Sequence, residues 1–123
     1  MIKVMWFLQR AEHLTLAEFR TWWMEDHCKL IAKAQSPYLK RYVVNVREDE
    51  DNLVGKPEYE TRWDGVAEQW FETEEDFNAA YSKPTAPVTR GDTRAHTSRM
   101  ERIVVREYPV EVPIDEPSLD RTE

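Results

Sequence analysis

The chain has 123 residues, with 24 acidic and 17 basic side chains and a formal net charge of −7. This length allows one domain with a single hydrophobic core. The acidic balance and the lack of a sustained basic run argue against a nucleic-acid partner, which requires a clustered positive surface.

Cysteine usage and hydropathy narrow the class of protein further. Cys28 is the sole cysteine, so no disulfide can form within the chain, and we expect a reducing compartment, the cytoplasm. The apolar run 1–8 is too short to span a bilayer and lacks a secretory cleavage pattern, and no later segment approaches twenty apolar residues. We therefore expect no membrane partner.

The first half of the chain predicts two strands around a long helix. Residues 2–8 are β-branched and aromatic without a breaker, as in a buried strand. Thr15 and Glu18 have capping-box spacing and predict a helix that runs to about Ala34, where Ser36-Pro37 ends it. Residues 38–46 form the second predicted strand.

The second half repeats the pattern more weakly. Residues 49–59 are acidic with Gly and Pro, as in an exposed loop, and 63–71 predict a third strand. Thr73 offers a capping signal for a short helix, which 83–87 interrupts before a helical or turn segment. The last predicted strand spans 99–108.

The resulting order, βαββαβ, predicts an α+β protein with a ferredoxin-like fold, in which helices cover one face of a four-stranded antiparallel sheet. The five tryptophans indicate a hydrophobic ligand or a sizeable interface. Because an apolar sheet face cannot stay wet, we expect two sheets to close face to face as a dimeric α+β barrel, hence a homodimer. That face is expected to contain Trp6, Val44, Val66, Trp70 and Val104.

The domain is predicted to span 1–108, and an acidic, Pro-containing tail to span 109–123. The tail has five carboxylates and little apolar content, so it is expected either to be disordered or to lie across a partner subunit. Removal of the residues from Glu116 onward is expected to leave the fold intact.

A histidine occupies an apolar position of the first helix. His27 falls one turn beyond Trp23 on the face that carries Phe19, Ile31 and Ala34, so it is expected to point inward. An inward imidazole is either a core side chain that is satisfied by a neighbour or a proton-transfer group. The helix alone does not choose between these alternatives.

His96, Asp92 and either Arg94 or Arg90 form a second candidate cluster near the expected mouth of the pocket, because an Asp four residues before a His on a helix can orient it. The alternative is an exposed i,i+4 pair. The three histidines lack metal-site spacing, and the isolated glycines form no phosphate-binding loop. We expect neither a metal nor another cofactor.

Several segments resemble the EthD-type family of dimeric α+β barrel proteins over residues 1–108. The similarity lies in Phe19-Arg20-x-Trp22-Trp23-x-x-Asp26-His27-x-x-Leu30, in Pro37-Tyr38-Leu39-x-x-Tyr42, in the run 64–76 and at Asp92. Cys28-Lys29 departs from the motif, where a small residue or Pro commonly precedes the leucine.

That family includes a methylmuconolactone isomerase and fungal polyketide dehydratases. The resemblance implies a proton-transfer role for His27 and a second polar role for Tyr42. An imidazole can take a proton alpha to a carbonyl while a phenol donates to the developing oxyanion. Trp23 and Trp70 are expected to line the substrate pocket, with Asp92 and His96 near its mouth.

The leading hypothesis is a cofactor-independent lyase or isomerase that acts on a small, apolar, carbonyl-bearing compound of cyclic or aromatic origin. One alternative is a non-catalytic accessory protein that binds such a metabolite. A third is a cofactorless or haem-using oxygenase, because related barrels carry those activities.

Overall fold

The computed structural model describes residues 1–113, in which four strands and the helical segments follow the order βαββαβ. The elements are β1 (Ile2–Arg10), α1 (Leu16–Thr21), a π-helical segment (Trp22–His27), α2 (Cys28–Ala34), β2 (Leu39–Val46), β3 (Gly65–Phe71), α3 (Glu74–Tyr81), α4 (Ala86–His96) and β4 (Thr97–Val105). The strands pair antiparallel in the order β2-β3-β1-β4. The predicted ferredoxin-like topology is confirmed.

The first helix begins where the sequence predicts. Thr15 Oγ1 accepts a hydrogen bond from the Glu18 amide (3.1 Å), and Glu18 Oε1 accepts one from the Thr15 amide (2.8 Å). This capping box satisfies amides that the first turn leaves without partners. Helical structure then continues to Ala34, as expected, but residues 22–27 in its middle form a π-helix, which was not expected.

The π-helical segment has a wider turn, which alters which side chains share a face. In an uninterrupted α-helix, positions five apart lie about 140° from each other around the axis. Here the rings of Trp22 and His27 stack with their centroids 4.6 Å apart. Trp22, Trp23 and His27 are consequently all buried, which α-helical spacing does not predict for Trp22.

In the second half of the chain, the non-helical segment between α3 and α4 is shorter than the predicted break at 83–87. α4 already begins at Ala86, with Pro87 in its first turn, where the missing N–H costs no helical hydrogen bond. β3 starts two residues later than predicted, at Gly65, and β4 covers Thr97–Val105 rather than 99–108. The long loop 49–59 is exposed, as expected.

The two faces of the sheet differ from the expected distribution of side chains. Trp6 pairs across the strands with Ala67, and Val4 with Val104; partners in such pairs lie on the same face. Val4, Trp6 and Ala67 pack in the helix-side core, and Val44 joins them. Trp6, Val44 and Val104 therefore lie on the helix-covered face, because side chains alternate along each strand.

Val66 and Trp70 lie on the opposite, outer face, as expected. Trp70 is only 6% exposed, because Lys3 Nζ and Arg41 Cζ lie 4.7 and 4.6 Å from its ring centroid. Its indole N–H donates to Glu107 Oε1 at 2.7 Å. The outer face thus combines apolar side chains with a charged cover.

Residues 109–113 are exposed and form neither helix nor strand. The expected effect of removing residues from Glu116 onward concerns a segment outside the described residues. Within residues 1–113, no helix is long and apolar enough to cross a membrane.

Candidate active site

A cavity of about 110 Å³ lies between the helices and the sheet. The lining is mostly apolar and aromatic, with a few polar groups aimed inward. It comprises Trp6, Leu8, Trp23, His27, Ile31, Tyr42, Ala67, Gln69, Tyr81, Thr89, Arg90, Thr93 and Met100. A site with few polar groups in an apolar surround is typical of a small-molecule pocket. Its volume is below the roughly 150 Å³ of a cavity that holds benzene, so the enclosed space admits at most one ring.

The two ring nitrogens of His27 face different surroundings. Nδ1 lies 2.6 Å from Asp92 Oδ2, and Asp92 is not among the lining residues. Nε2 lies 3.2 Å from Oγ1 of Thr93, which lines the cavity together with His27. The carboxylate therefore holds one side of the ring and leaves Nε2 on the cavity side.

This arrangement selects one neutral tautomer. A carboxylate accepts hydrogen bonds, so Nδ1 carries the proton and Nε2 has a free lone pair. The Thr93 hydroxyl can donate either to that lone pair or to the Thr89 carbonyl, whose oxygen is 3.0 Å away. When Nε2 accepts a proton from a ligand, the Thr93 hydroxyl can therefore donate its hydrogen bond to the Thr89 carbonyl instead.

Burial and charge act in opposite directions on the pKa of His27. Burial lowers the pKa below its ordinary value, because the charged imidazolium is poorly solvated there, while the hydrogen bond and the charge of Asp92 raise it. Burial is the larger effect. The imidazole is therefore neutral near pH 7 and able to accept a proton.

Trp22 contacts both members of the His27–Asp92 pair. Its indole N–H lies 3.2 and 3.3 Å from the two carboxylate oxygens of Asp92. Its ring stacks on both His27 and His96, with their ring centroids 4.6 and 4.3 Å away. His96 Nδ1 in turn donates to the Asp92 backbone carbonyl at 2.7 Å.

Tyr42 brings a phenol to the same cavity from β2. Its oxygen accepts a hydrogen bond from Trp23 Nε1 at 3.2 Å, which leaves the hydroxyl hydrogen available for donation. Burial raises the pKa of Tyr42 above its ordinary value, so the phenol stays protonated. Gly65 allows this packing, because a Cβ there would collide with the Trp23 ring and lie 2.6 Å from the Asn45 carbonyl oxygen.

A second polar cluster, the Trp6–Gln69–Tyr81 cluster, lines the cavity elsewhere. Gln69 Oε1 accepts from Tyr81 Oη (2.7 Å) and from Trp6 Nε1 (3.2 Å), and Tyr81 Oη also accepts from Trp6 Nε1 (3.0 Å). Gln69 Nε2 donates to Gln35 Oε1 at 3.3 Å. The members of this cluster bond mainly to one another.

A family model for the EthD domain matches residues 11–92 of the chain. This match covers most of the domain and contains His27, Tyr42 and Asp92. The chain belongs to the EthD domain family. The resemblance inferred from the sequence motifs is thereby confirmed.

Solved structures with the same fold include an EthD family protein. That protein, the ethyl tert-butyl ether D family protein from Bacillus halodurans C-125, superposes with a TM-score of 0.67 at 17% identity, over 88% of this chain and 99% of that chain. SnoaB, a cofactor-independent oxygenase from Streptomyces nogalater, gives a TM-score of 0.61 at 14% identity, over 89% and 94%. No curated protein matches the sequence.

A third similar structure is a DABB family protein with a ferredoxin-like fold from Mesorhizobium loti. It gives a TM-score of 0.65 at 7% identity and covers 88% of this chain and 97% of that chain. At such low identities, these superpositions show a shared fold alone.

Of the candidate residues named from the sequence, the structure brings His27, Tyr42 and Trp23 to the EthD-domain cavity. Asp92 contacts His27, and His96 Nδ1 lies 3.5 Å from Asp92 Oδ1, but neither Asp92 nor His96 is a lining residue. Trp70 lies on the outer face of the sheet, away from the cavity. Among residues 1–113, no group of three His, Cys, Asp or Glu side chains is arranged to hold a metal ion.

The sequence alone does not predict the hydrogen-bond partners of the two His27 ring nitrogens. The predicted Asp92–His96 pair is present, with 3.5 Å between Asp92 Oδ1 and His96 Nδ1, but the Asp92 carboxylate also contacts His27, 65 positions earlier. No sequence signal indicates Thr93, and Trp22, although part of the family motif, is not predicted to pair with Asp92. Side-chain alternation along β1 and β3 places Trp6 and Gln69 on the same, helix-covered face, because their cross-strand partners are Ala67 and Val4. Contacts between α4 and the π-helical segment have no such local signal.

Proposed function

We propose that this EthD-domain protein is a cofactor-independent isomerase or lyase that transfers a proton on a small, apolar, cyclic compound bearing a carbonyl. The observation that carries the proposal is the 2.6 Å contact between His27 Nδ1 and Asp92, which leaves Nε2 on the cavity side. A neutral, oriented imidazole in an apolar cavity suits a general base.

In the proposed reaction, His27 Nε2 accepts a proton from the carbon alpha to the substrate carbonyl. The electron pair of the broken C–H bond moves toward the carbonyl, whose oxygen becomes an enolate. Asp92 stabilises the resulting imidazolium through its hydrogen bond to Nδ1 and acts as a positioning residue. Such a pair has the geometry of a base with its orienting carboxylate.

Tyr42 is the proposed donor to the enolate oxygen. Its phenol stays protonated over the physiological range, and Trp23 already occupies one acceptor position of its oxygen, so the hydroxyl hydrogen is directed elsewhere. A donor placed where negative charge develops lowers the barrier. The imidazolium then returns the proton to another carbon in an isomerase, or to a departing hydroxyl group in a lyase.

Proton–deuterium exchange tests this proposal without knowledge of the natural substrate. Monocyclic ketones and lactones are incubated in D₂O with the wild-type protein, and deuterium at the alpha carbon is followed by NMR. We expect exchange above the buffer rate, abolished in His27→Ala and retained in His13→Ala, which removes an exposed histidine. Binding without His27-dependent exchange would favour the non-catalytic accessory role instead.

The likeness to SnoaB supports a second candidate, a cofactorless oxygenase. The same proton abstraction would produce a carbanion, which can react with O₂. Oxygen consumption measured during the exchange assay separates the two candidates, because an isomerase or lyase consumes none.

We also propose a homodimer that forms through the outer face of the sheet. Similar folds include proteins described as dimeric from Bacteroides fragilis and Thermobifida fusca, and Ile103 is 47% exposed on this face. Light scattering should give twice the chain mass for the wild type and for Val88→Lys, and a lower mass for Ile103→Lys. A wild-type monomer at micromolar concentration would overturn the dimer.

A further inference from the structure

Arg90 is the one arginine or lysine among the described residues that line the cavity. Arg90 of α4 is an exposed member of the lining, whereas its neighbours Thr89 and Thr93 are buried. The other exposed member is Met100 of β4, which is 40% exposed. Arg90 and Met100 therefore mark the mouth of the cavity.

No acidic side chain lines this cavity within residues 1–113, although the chain as a whole has a net charge of −7. The charge at the mouth is thus opposite in sign to that of the protein. Within the same residues, Arg90 has no ion-pair partner, whereas Arg10 and Arg47 are both engaged by Asp64. The Arg90 guanidinium is available to an incoming anion.

A second guanidinium lies close to the lining. The Cζ atom of Arg102 is 5.5 Å from the ring centroids of both Trp6 and Phe77, and Trp6 lines the cavity. Arg102 also lacks an ion-pair partner in the described part of the chain. Its positive charge adds to the field that Arg90 sets up on this side of the cavity.

We propose that the ligand of this cavity is a monocyclic carboxylate, whose ring enters the cavity and whose carboxylate stays at the mouth on Arg90. This inference rests on the proposed function, since it names the substrate class for the same site. A guanidinium offers paired N–H donors that match the two oxygens of a carboxylate. At the exposed mouth the carboxylate remains partly hydrated, so its burial costs little.

The arrangement also orients the ligand. The carboxylate end is fixed at Arg90, on the side of the cavity formed by α4. The ring is then directed inward, toward the two groups proposed to act on it, His27 Nε2 and the Tyr42 hydroxyl. Arg90 is in this sense a specificity-determining residue and does not take part in proton transfer.

Calorimetric titration with benzoate and benzamide tests the proposal, because the two probes share a ring and differ in charge. We expect wild-type protein to bind benzoate about tenfold more tightly than benzamide, with a preference that weakens at high ionic strength. Arg90→Ala should remove the preference and leave benzamide affinity within twofold. Arg94→Ala, which removes an exposed arginine of α4 outside the lining, should keep it.

Three outcomes would overturn the proposal. Equal affinity of the wild type for both probes would defeat the carboxylate while leaving the cavity and the proposed proton transfer in place. An equal loss of benzoate affinity in Arg90→Ala and Arg94→Ala would indicate diffuse surface charge. Failure of both probes to bind would show that the cavity takes no ring, which contradicts the proposed function as well.

Discussion

Two polar clusters line the same cavity, and they differ in whether a donor or acceptor atom remains available to a ligand. In the Trp6–Gln69–Tyr81 cluster, donors and acceptors pair with one another. At the other cluster, Asp92 engages Nδ1 of His27, and Nε2 remains on the cavity side, where Thr93 is its one hydrogen-bond partner among residues 1–113. The first cluster stabilises the core, whereas the second retains a group that can react.

Burial also has different consequences in the two clusters. Burial raises the pKa of Tyr81, so a phenol that is already neutral stays neutral throughout the physiological range. Burial lowers the pKa of His27, which makes a base available at neutral pH. Burial thus keeps the Tyr81 phenol from ionising, whereas it keeps the His27 imidazole in its neutral, basic form.

The largest expected effect comes from His27→Ala. Loss of a positioned general base typically lowers a rate by about 10²- to 10⁴-fold, so exchange at the alpha carbon should fall by that factor while probe binding largely persists. Activity per folded molecule is measured after circular dichroism has established the folded fraction. Full activity in the folded variant would make His27 a core histidine.

Asp92→Asn should cause a smaller loss and a diagnostic change in pH dependence. Asp92 raises the pKa of His27, so its replacement should move the acidic limb of the rate profile to lower pH, while the rate falls about tenfold to a hundredfold as the ring loses its orientation. Asn retains an oxygen that can accept from Trp22. An acidic limb that moves to higher pH would contradict the proposed pairing.

Tyr81→Phe addresses the other cluster and should change stability rather than rate. It removes the hydrogen bond that Tyr81 donates to Gln69 and the one that it accepts from Trp6, but Trp6 can still donate to Gln69 Oε1. We expect a loss of about 1 kcal/mol in the free energy of unfolding, measured by urea titration. A drop in rate comparable to that of Asp92→Asn would mean that both clusters take part in the reaction.

The smallest effect concerns the stability of the wild type as a function of pH. The pKa of His27 is lower in the folded than in the unfolded chain, where it is about 6.5. The unfolded state therefore binds more protons as pH falls below about 6.5, and the folded state loses stability down to the folded pKa. His27→Gln should flatten this part of the curve of unfolding free energy against pH.

The ferredoxin-like fold was predictable because capping signals and strand patterns are local. Thr15 with Glu18 and Thr73 with Asp76 mark helix starts that the structure reproduces. The predicted sheet face was wrong for Trp6 and Val44, because a hydrophobic side chain suits either face of the sheet. The face is decided by the pairing register of the strands, which the sequence does not give. Their location on the helix side follows from their shared partner, Ala67.

The candidate site was predictable only in part. The inward position of His27 followed from helical spacing, and Tyr42 from the family resemblance. The partner of His27 was not predictable, because α4 meets the first helix only through tertiary packing and the π-helical segment changes the direction of Trp22. No spacing within one element indicates that Asp92 and His27 lie 2.6 Å apart.

The central claim, that Asp92 holds the Nδ1 proton and leaves His27 Nε2 unprotonated toward the cavity, can be tested by nitrogen-15 NMR. Long-range proton–nitrogen spectra of the histidine rings distinguish the two neutral tautomers and the imidazolium, and comparison with His27→Gln assigns the signal. Near pH 7.5 we predict a neutral His27 ring with its proton on Nδ1. A proton on Nε2, or a charged ring at that pH, would contradict the account.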